Sequence, residues 1–480
     1  MKKVLLMASE AVPFIKTGGL ADVIGALPRY IDKKQYDMRV MMPAYACIEE
    51  KYLEQMEDVC SIHIDYDYAI RYVGVRSLKY DNIIFYFIDN KDFFSGNWPY
   101  ENEIWDIQKF IFFSLASLSV LPTLGFRPDI IHCNDWQTGM VPVFLKERFK
   151  DNPFFKDMKT IFTIHNLRFQ GSWDLRTIKE LTGLSDSCFS TDKLEAYGNG
   201  NLLKGGLVYA DKITTVSKTY VEEIKTPQYG ERMDGLLCAR SADLVGIING
   251  IDTEIFNPQT DTALKCNYSV QSFKDNKKIN KKLLQEKMGL PVDENKFLVG
   301  IISRLTSQKG LDLVECVLDE ICNRNDMQLI VSGVGEERYE NVFRHYAWKY
   351  PNRICANIYY KEELSHWIYS AGDALLMPSQ FEPCGLSQLI ALRYGTIPIV
   401  RETGGLADTV EPYNEYESSG TGFSFANYNA HEMLAILNYA KYIYYENKEE
   451  WNKLVVRAMR SDFSWHNSIK EYEQLYKEII

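Results

Sequence analysis

The chain has 480 residues, of which 46% are hydrophobic and 25% charged, and a formal net charge of −11. This length exceeds one ordinary core and predicts two or three domains of normal globular composition. The acidic balance disfavours a general nucleic-acid or anionic-membrane binder, since both need broad positive surfaces, but not a phosphate ligand held by a few placed cations.

The first residues, MKKVLLMASEAVPF, have the outline of a signal peptide, yet the apolar run is short. Glu10 and Lys16 follow it without a small-residue cleavage site, so a buried first strand is expected. Ten cysteines include no CxxC pair, and Cys316 and Cys322 are too loosely spaced for a zinc knuckle. Reduced thiols and a cytoplasmic location are therefore expected, with no transit peptide of the plastid kind.

Apolar strand-like runs follow in order: VLLMA (4–8), MRVMM (38–42), IIFYFID (83–89), DIIHCND (129–135), TIFTIHN (160–166) and KITTVS (212–217). Helical stretches or long connections separate most of them, which predicts a doubly wound parallel sheet. The uncharged run at 110–126 predicts a buried helix ending before Pro122. Turn formers crowd residues 246–261 and mark a domain boundary, followed by an exposed Lys-rich helix over 274–282. The rhythm restarts with FLVGIIS (297–303), QLIVSG (328–333), ICANIYY (354–360), ALLMPS (374–379) and IPIVRE (397–402). Apolar residues at 469, 472, 476 and 479 give the tail the spacing of an amphipathic helix. The expected domains are 1–246, 247–461 and a C-terminal helix, 462–480, that either stays on its own domain or crosses back to the first.

The hexapeptide TGGLAD occurs twice, in KTGGLADV (16–23) and ETGGLADT (402–409). Each copy follows a strand and opens an apolar helical stretch, where glycines let the backbone approach a ligand and free N–H groups favour an anion. Only the first copy carries a lysine, Lys16, beside Gly18, Gly19 and Asp22; the second offers Thr403, Gly404 and Gly405. SRLTSQKG (303–310) sets Arg304 and Lys309 after a strand, where two cations can neutralise a diphosphate. QFEPCGL places Glu382 at a strand end, suited to a general base or to stabilising a sugar cation, or else a plain acidic N-cap. HCNDW and FTIHN end two strands with the candidates Asp135, His165 and Asn166, while SGVGEE (332–337) is a weak Gly-rich turn. No HExxH, P-loop, GxSxG or complete GxGxxG is present, which weakens a dehydrogenase reading.

Taken together, KTGGLADV, HCNDW, FTIHN, LLKGGLVYAD, INGID, SRLTSQKG, EPCGL and ETGGLADTV resemble bacterial glycogen synthases and plant starch synthases. The resemblance implies the GT-B architecture: two doubly wound Rossmann-like domains facing a central cleft, with the last helix crossing back to the first domain. It implies retaining transfer of glucose from ADP-glucose to the non-reducing-end 4-hydroxyl of an α-1,4-glucan, with no cofactor and no metal. By that resemblance Lys16, Gly18, Gly19 and Asp22 match the donor loop, and Arg304 and Lys309 the diphosphate cations. Glu382, Cys384, Gly385 and Leu386 match the loop around the donor glucose. Asp135, His165, Asn166 and Asn249 match polar residues near the reacting sugar. Thr403, Gly404 and Gly405 follow from the second hexapeptide. The chain departs from the family's usual residues at Gln137, Ser387 and Ile390. Another nucleotide-sugar transferase or a phosphorylase of the same fold, or an inactive carbohydrate-binding protein, is the alternative; neither a nucleic-acid nor a membrane partner is expected, and the motifs leave the oligomeric state open.

Overall fold

The computed structural model describes residues 1–359 and 361–480. The chain divides into two compact units, one made of Met1–Ile248 with Trp465–Ile480 and the other of Asn249–Ser464.

The strands of the first unit are β1 Lys2–Met7, β2 Tyr36–Pro43, β3 Glu57–Tyr66, β4 Ala69–Tyr80, β5 Ile83–Asp89, β6 Ile130–Asn134 and β7 Lys159–Ile164. A small separate sheet, β8 Ser172–Asp174, β9 Glu195–Ala196 and β10 Asn199–Asn201, precedes β11 Lys212–Thr215 and β12 Leu244–Gly246. The main sheet runs β12-β11-β7-β6-β1-β2-β5-β4-β3. It is parallel from β12 through β5, and β4 and β3 extend it antiparallel. The apolar runs of this half all form central strands, with Val4, Leu5, Val40, Ile130 and Ile161 fully buried. The β3–β4 hairpin has no counterpart among those runs. Its residues alternate between a covered and a wet face, so it carries His, Asp and Arg among its aliphatics, as a one-sided antiparallel edge does.

Two helices correct the sequence reading. The apolar helix spans Glu103–Leu124 and continues through Pro122 to a left-handed Gly125. Pro122 lies in the last turn, where the loss of one N–H interrupts little of the remaining ladder. Although long and apolar enough to cross a membrane, the helix is a core element, with Phe110, Ile111, Phe112 and Phe113 fully buried. The Lys-rich helix, Phe273–Lys287, is not exposed throughout, because Asn280 and Lys281 are buried.

The last helix, Trp465–Ile479, belongs to the first unit and buries Trp465, Ile469, Tyr472, Leu475 and Tyr476. Its anchor is polar as well as apolar. The Tyr476 hydroxyl bonds His132 Nδ1 at 2.8 Å, and His132 Nε2 bonds Thr163 Oγ1 at 2.6 Å. Burial pushes the His132 pKa down to about 3, so the ring is neutral.

The second unit holds β13 Phe297–Ile302, β14 Met327–Ser332, β15 Ile354–Asn357, β16 Ala374–Met377, β17 Ile397–Arg401 and β18 Phe423–Phe425. All pair in parallel in the order β15-β14-β13-β16-β17-β18. The apolar run at 354–360 ends on Tyr360, which lies outside the described residues. The order reverses between β13 and β16, and the crevice beyond the carboxyl ends of such a pair is where open α/β sheets bind ligands. In the first unit the corresponding reversal is at β1, between β6 and β2.

Tyr476→Phe removes only the bond to His132 and is expected to cost about 1 kcal/mol, whereas Tyr476→Ala also empties a buried ring site and should cost about 3–5 kcal/mol. Denaturant midpoints of the two variants against the wild type check this.

Candidate active site

In the second unit the site lies past β13 and β16. The loop 303–310 carries Arg304 and Lys309; the loop 378–386 carries Glu382. A backbone bond joins them, Gln380 N donating to Gln308 O at 2.9 Å, while Leu305 N donates to Val334 O at 2.8 Å and ties the first loop to the turn after β14. Gly310 has φ +68°, and a Cβ there would come within 1.9 Å of Pro378 O. Glycine is required at this point because any side chain would push the two loops apart.

The closure brings Lys309 Nζ to 2.6 Å from Glu382 Oε2, and Ser379 Oγ donates to the same oxygen at 3.0 Å. Their side chains are 17% and 7% exposed, so this is a largely buried ion pair. Arg304, in contrast, is exposed and has no ion-pair partner among the described residues. The hydroxyls of Ser303 and Thr306, in the same loop, are buried without a hydrogen-bond partner. Such orphaned groups usually await a ligand or water.

The second TGGLAD works beside this pair. Thr403 N-caps the short helix Gly404–Thr409. Gly404 has φ +44°, with a Cβ position 2.0 Å from Glu382 O, and a Cβ on Gly405 would meet Cys384 O at 2.1 Å. Gly405 N donates to Glu382 O at 3.0 Å. These glycines are fixed by the backbone of the Glu382 loop pressing against them. Cys384 is buried, and burial pushes its thiol up to about 12, so it is no nucleophile. Gly385 takes φ +72°, and Leu386 caps the helix Ser387–Arg393. Ile390 of that helix is buried in the core. Asn249 reaches the Cys384 sulfur, while its buried Oδ1 has no partner.

In the first unit the candidates gather past β1, β6 and β7. Gly18 N-caps the helix Gly19–Tyr30 in extended backbone, and Lys16 Nζ pairs with Asp22 Oδ1 at 2.7 Å. Gly18 has open space, its nearest neighbour being Glu10 Oε1 at 3.9 Å from a built Cβ. The two hexapeptides therefore use their glycines differently: the second for tight packing, the first at an open helix start.

Asp135 sits at φ 55°, ψ 178°, a region costing about 1–3 kcal/mol for a residue with a side chain. Its Oδ1 accepts from His165 N at 2.7 Å and Asn166 N at 3.4 Å. His165 Nε2 lies 2.9 Å from Asn134 Oδ1. The Asn134 amide nitrogen donates to Met7 O and His132 O, so its oxygen must accept, and His165 carries its proton on Nε2 with Nδ1 left as an acceptor. Desolvation pushes His165 down to about 3 and keeps it neutral. Asn166 closes an Asx turn by accepting from Arg168 N at 3.1 Å.

The sequence analysis missed Glu10 and Tyr100 as site residues. Glu10 is 3% exposed and accepts from Thr17 N at 2.5 Å, holding the start of the first hexapeptide. Tyr100 bonds Ser9 Oγ at 2.8 Å and feels the charge of Glu10. The available signal was a carboxylate two residues beyond the apolar run VLLMA. Burial raises both Glu10 and Asp135 to about 7, and the negative charge of Glu10 adds to the rise at Asp135.

Two known families match the chain: the starch synthase catalytic domain over residues 3–239 and glycosyl transferases group 1 over 284–452. A glycogen synthase of Lachnospira eligens is 61% identical, with all of both chains covered. The chain belongs to the glycogen synthase family. The glycogen synthase of Geobacillus stearothermophilus is 48% identical over all of this chain and 98% of its own. Among solved structures, the catalytic domain of starch synthase IV from Arabidopsis thaliana, bound to ADP and acarbose, superposes with a TM-score of 0.91. It is 30% identical and covers 100% of this chain and 99% of its own. A sucrose-phosphate synthase from Thermosynechococcus elongatus, at 15% identity and a TM-score of 0.62, shares the fold. The chain is thus a GT-B retaining glucosyltransferase of the glycogen synthase family.

For this glycogen synthase family member, the buried acids make stability depend on pH. The folded Glu10 pKa lies above its ordinary 4.5. Its contribution is therefore greatest below about 4.5 and is lost as pH rises through about 7, where a buried carboxylate must ionise. Glu10→Gln keeps an acceptor for Thr17 N. It is expected to match the wild type near pH 4.5 and exceed it at pH 8 by up to about 3 kcal/mol, at 1.36 kcal/mol per pKa unit; thermal melts at the two pH values read the difference.

Proposed function

We propose that the chain transfers glucose from ADP-glucose to the non-reducing-end 4-hydroxyl of an α-1,4-glucan, with retention at the anomeric carbon. The observation that carries this reading is the edge of the second sheet, where Arg304, the Lys309–Glu382 pair and two orphaned hydroxyls lie on two adjoining loops. The starch synthase relative solved with ADP and acarbose supports the choice of nucleotide and of a carbohydrate acceptor.

Breaking a glucosyl–phosphate bond leaves negative charge on the diphosphate and positive charge on the sugar. Arg304, Lys309 and the N-terminus of the helix Leu311–Asn323 neutralise the diphosphate in this reading. Glu382 orients the donor glucose and stabilises its developing positive charge, held in place by Lys309 and Ser379. The acceptor hydroxyl attacks from the face the diphosphate leaves, and the leaving phosphate takes its proton. Asp135, His165 and Asn166 orient the reacting sugars, His165 as a neutral imidazole whose Nδ1 accepts a hydroxyl proton.

Arg304→Ala is the cleanest test of the site, because the side chain is exposed and no described ion pair is lost with it. Turnover should fall about 10²–10³-fold with an unchanged melting temperature. Lys309→Ala strands the buried Glu382 carboxylate and should destabilise the fold by about 3–5 kcal/mol as well as lower turnover. Wild-type rates in both variants would remove these residues from the reaction.

Nucleotide release from ADP-glucose and from UDP-glucose, with and without glycogen, tests the reaction itself. Glycogen-dependent ADP release with new α-1,4 linkages is expected. Release from UDP-glucose alone would reject the donor, and release from neither would reject the activity.

A further inference from the structure

The edge of the second sheet opposite the catalytic loops holds a cavity of about 60 Å³, room for several water molecules or one tetrahedral anion. It lies before the first residues of β13, β16 and β17, between the helices Phe273–Lys287 and Lys448–Arg460. Five lysines line it, Lys274, Lys277, Lys278, Lys281 and Lys448, against two carboxylates, Glu294 and Asp373. A local excess of cations in a chain of net charge −11 calls for a physical reason.

Both carboxylates are already engaged. Asp373 Oδ2 is 2.5 Å from Lys281 Nζ and also accepts from Leu298 N at 2.8 Å. Glu294 binds Lys282 at 2.5 Å and Lys278 at 3.5 Å. The other three lysines have no carboxylate partner among the described residues. Lys277 Nζ rests on neutral acceptors only: Thr396 Oγ1 at 2.9 Å, Tyr394 O at 3.0 Å and Tyr369 O at 3.3 Å. Lys448 Nζ stands 3.4 Å from the centre of the Tyr444 ring. Lys274, exposed and one turn before Lys277 and Lys278 on the same helix face, also lines the cavity.

We propose that this cavity binds a phosphate group, held by Lys274 and Lys448, with the charge of Lys277, whose three N–H groups are already bonded, behind them. The charge count, the small size and the neutral walls of Tyr444 and Trp451 suit a compact dianion and exclude a metal cation. Burial holds Lys277 down at about 7 and Lys448 at about 8, so an arriving anion strengthens their hold on protons and binding takes protons up from solution. Inorganic phosphate and a phosphomonoester such as a hexose phosphate both present the required group.

Calorimetric titration of the full chain with inorganic phosphate at pH 8 tests this. With the nucleotide site filled by excess ADP, the wild type and Arg304→Ala should bind phosphate equally, since Arg304 lies on the other edge. The double variant Lys274→Gln/Lys448→Gln should bind at least tenfold more weakly, with an unchanged melting temperature and unchanged ADP affinity. The heat should vary with the ionisation enthalpy of the buffer in the wild type, and less so in the double variant, where Lys277 alone remains to take up a proton. Tighter binding of a hexose phosphate identifies an ester as the occupant, and equal binding identifies free phosphate. Absence of phosphate binding in the wild type, equal affinity in the double variant, or loss of binding in Arg304→Ala would each overturn the site. ADP affinity is read separately, so a failure here is distinct from a failure of the proposed transferase activity.

Discussion

The ion pair of Glu382 with Lys309 is the interaction on which the loops at the carboxyl edge of the second unit's sheet depend. Taking two charges out of water costs several kcal/mol each, and the cost is offset only when geometry is tight and remaining lone pairs are used. The chain meets this by forcing three backbone segments together. Gly310 lies against Pro378, Gly404 against Glu382 and Gly405 against Cys384, each at a distance no Cβ would permit. Ser379 supplies the further hydrogen bond. Small residues at these points are thus a consequence of electrostatics: the pair can stay buried only if the loops carrying it touch backbone to backbone.

The first unit solves a different problem at its own strand-order reversal. There the buried charges are both acidic, Glu10 and Asp135, and no described cation is paired with either. Backbone N–H groups do the work instead, from Thr17 to Glu10 and from His165 and Asn166 to Asp135. That leaves both carboxyls close to titration at neutral pH, beside a histidine held neutral by desolvation. A site of neutral donors and acceptors suits hydroxyl-rich sugars, whereas the cations of the second unit suit phosphate.

The acidic whole and the basic local sites are compatible for the same reason. Affinity for phosphate depends on the few cations within a Debye length that lack a partner, and net charge says little about them. Among the described residues, Arg304 at one edge of the second sheet and Lys274 and Lys448 at the other lack a carboxylate partner.

Apolar runs such as VLLMA, DIIHCND, FLVGIIS and ALLMPS determined the central strands of both sheets, because a strand buried on both faces admits little but Val, Ile, Leu and Met. Fixed motif spacing likewise placed Arg304, Lys309, Glu382, Asp135 and His165 at strand ends. The β3–β4 hairpin escaped because a half-wet strand has mixed composition, and the helix end at Gly125 because a proline in a last turn breaks almost nothing. Tertiary structure alone decided the rest. TGGLAD reads the same at both ends of the chain, yet one copy opens beside Glu10 and the other is wedged under Glu382. Glu10 and Lys281 read as ordinary charged residues until folding buried them. Local sequence sets which backbone conformation and periodicity a segment adopts, but burial, charge pairing and close approach depend on residues hundreds of positions apart, and only the packed chain brings those together.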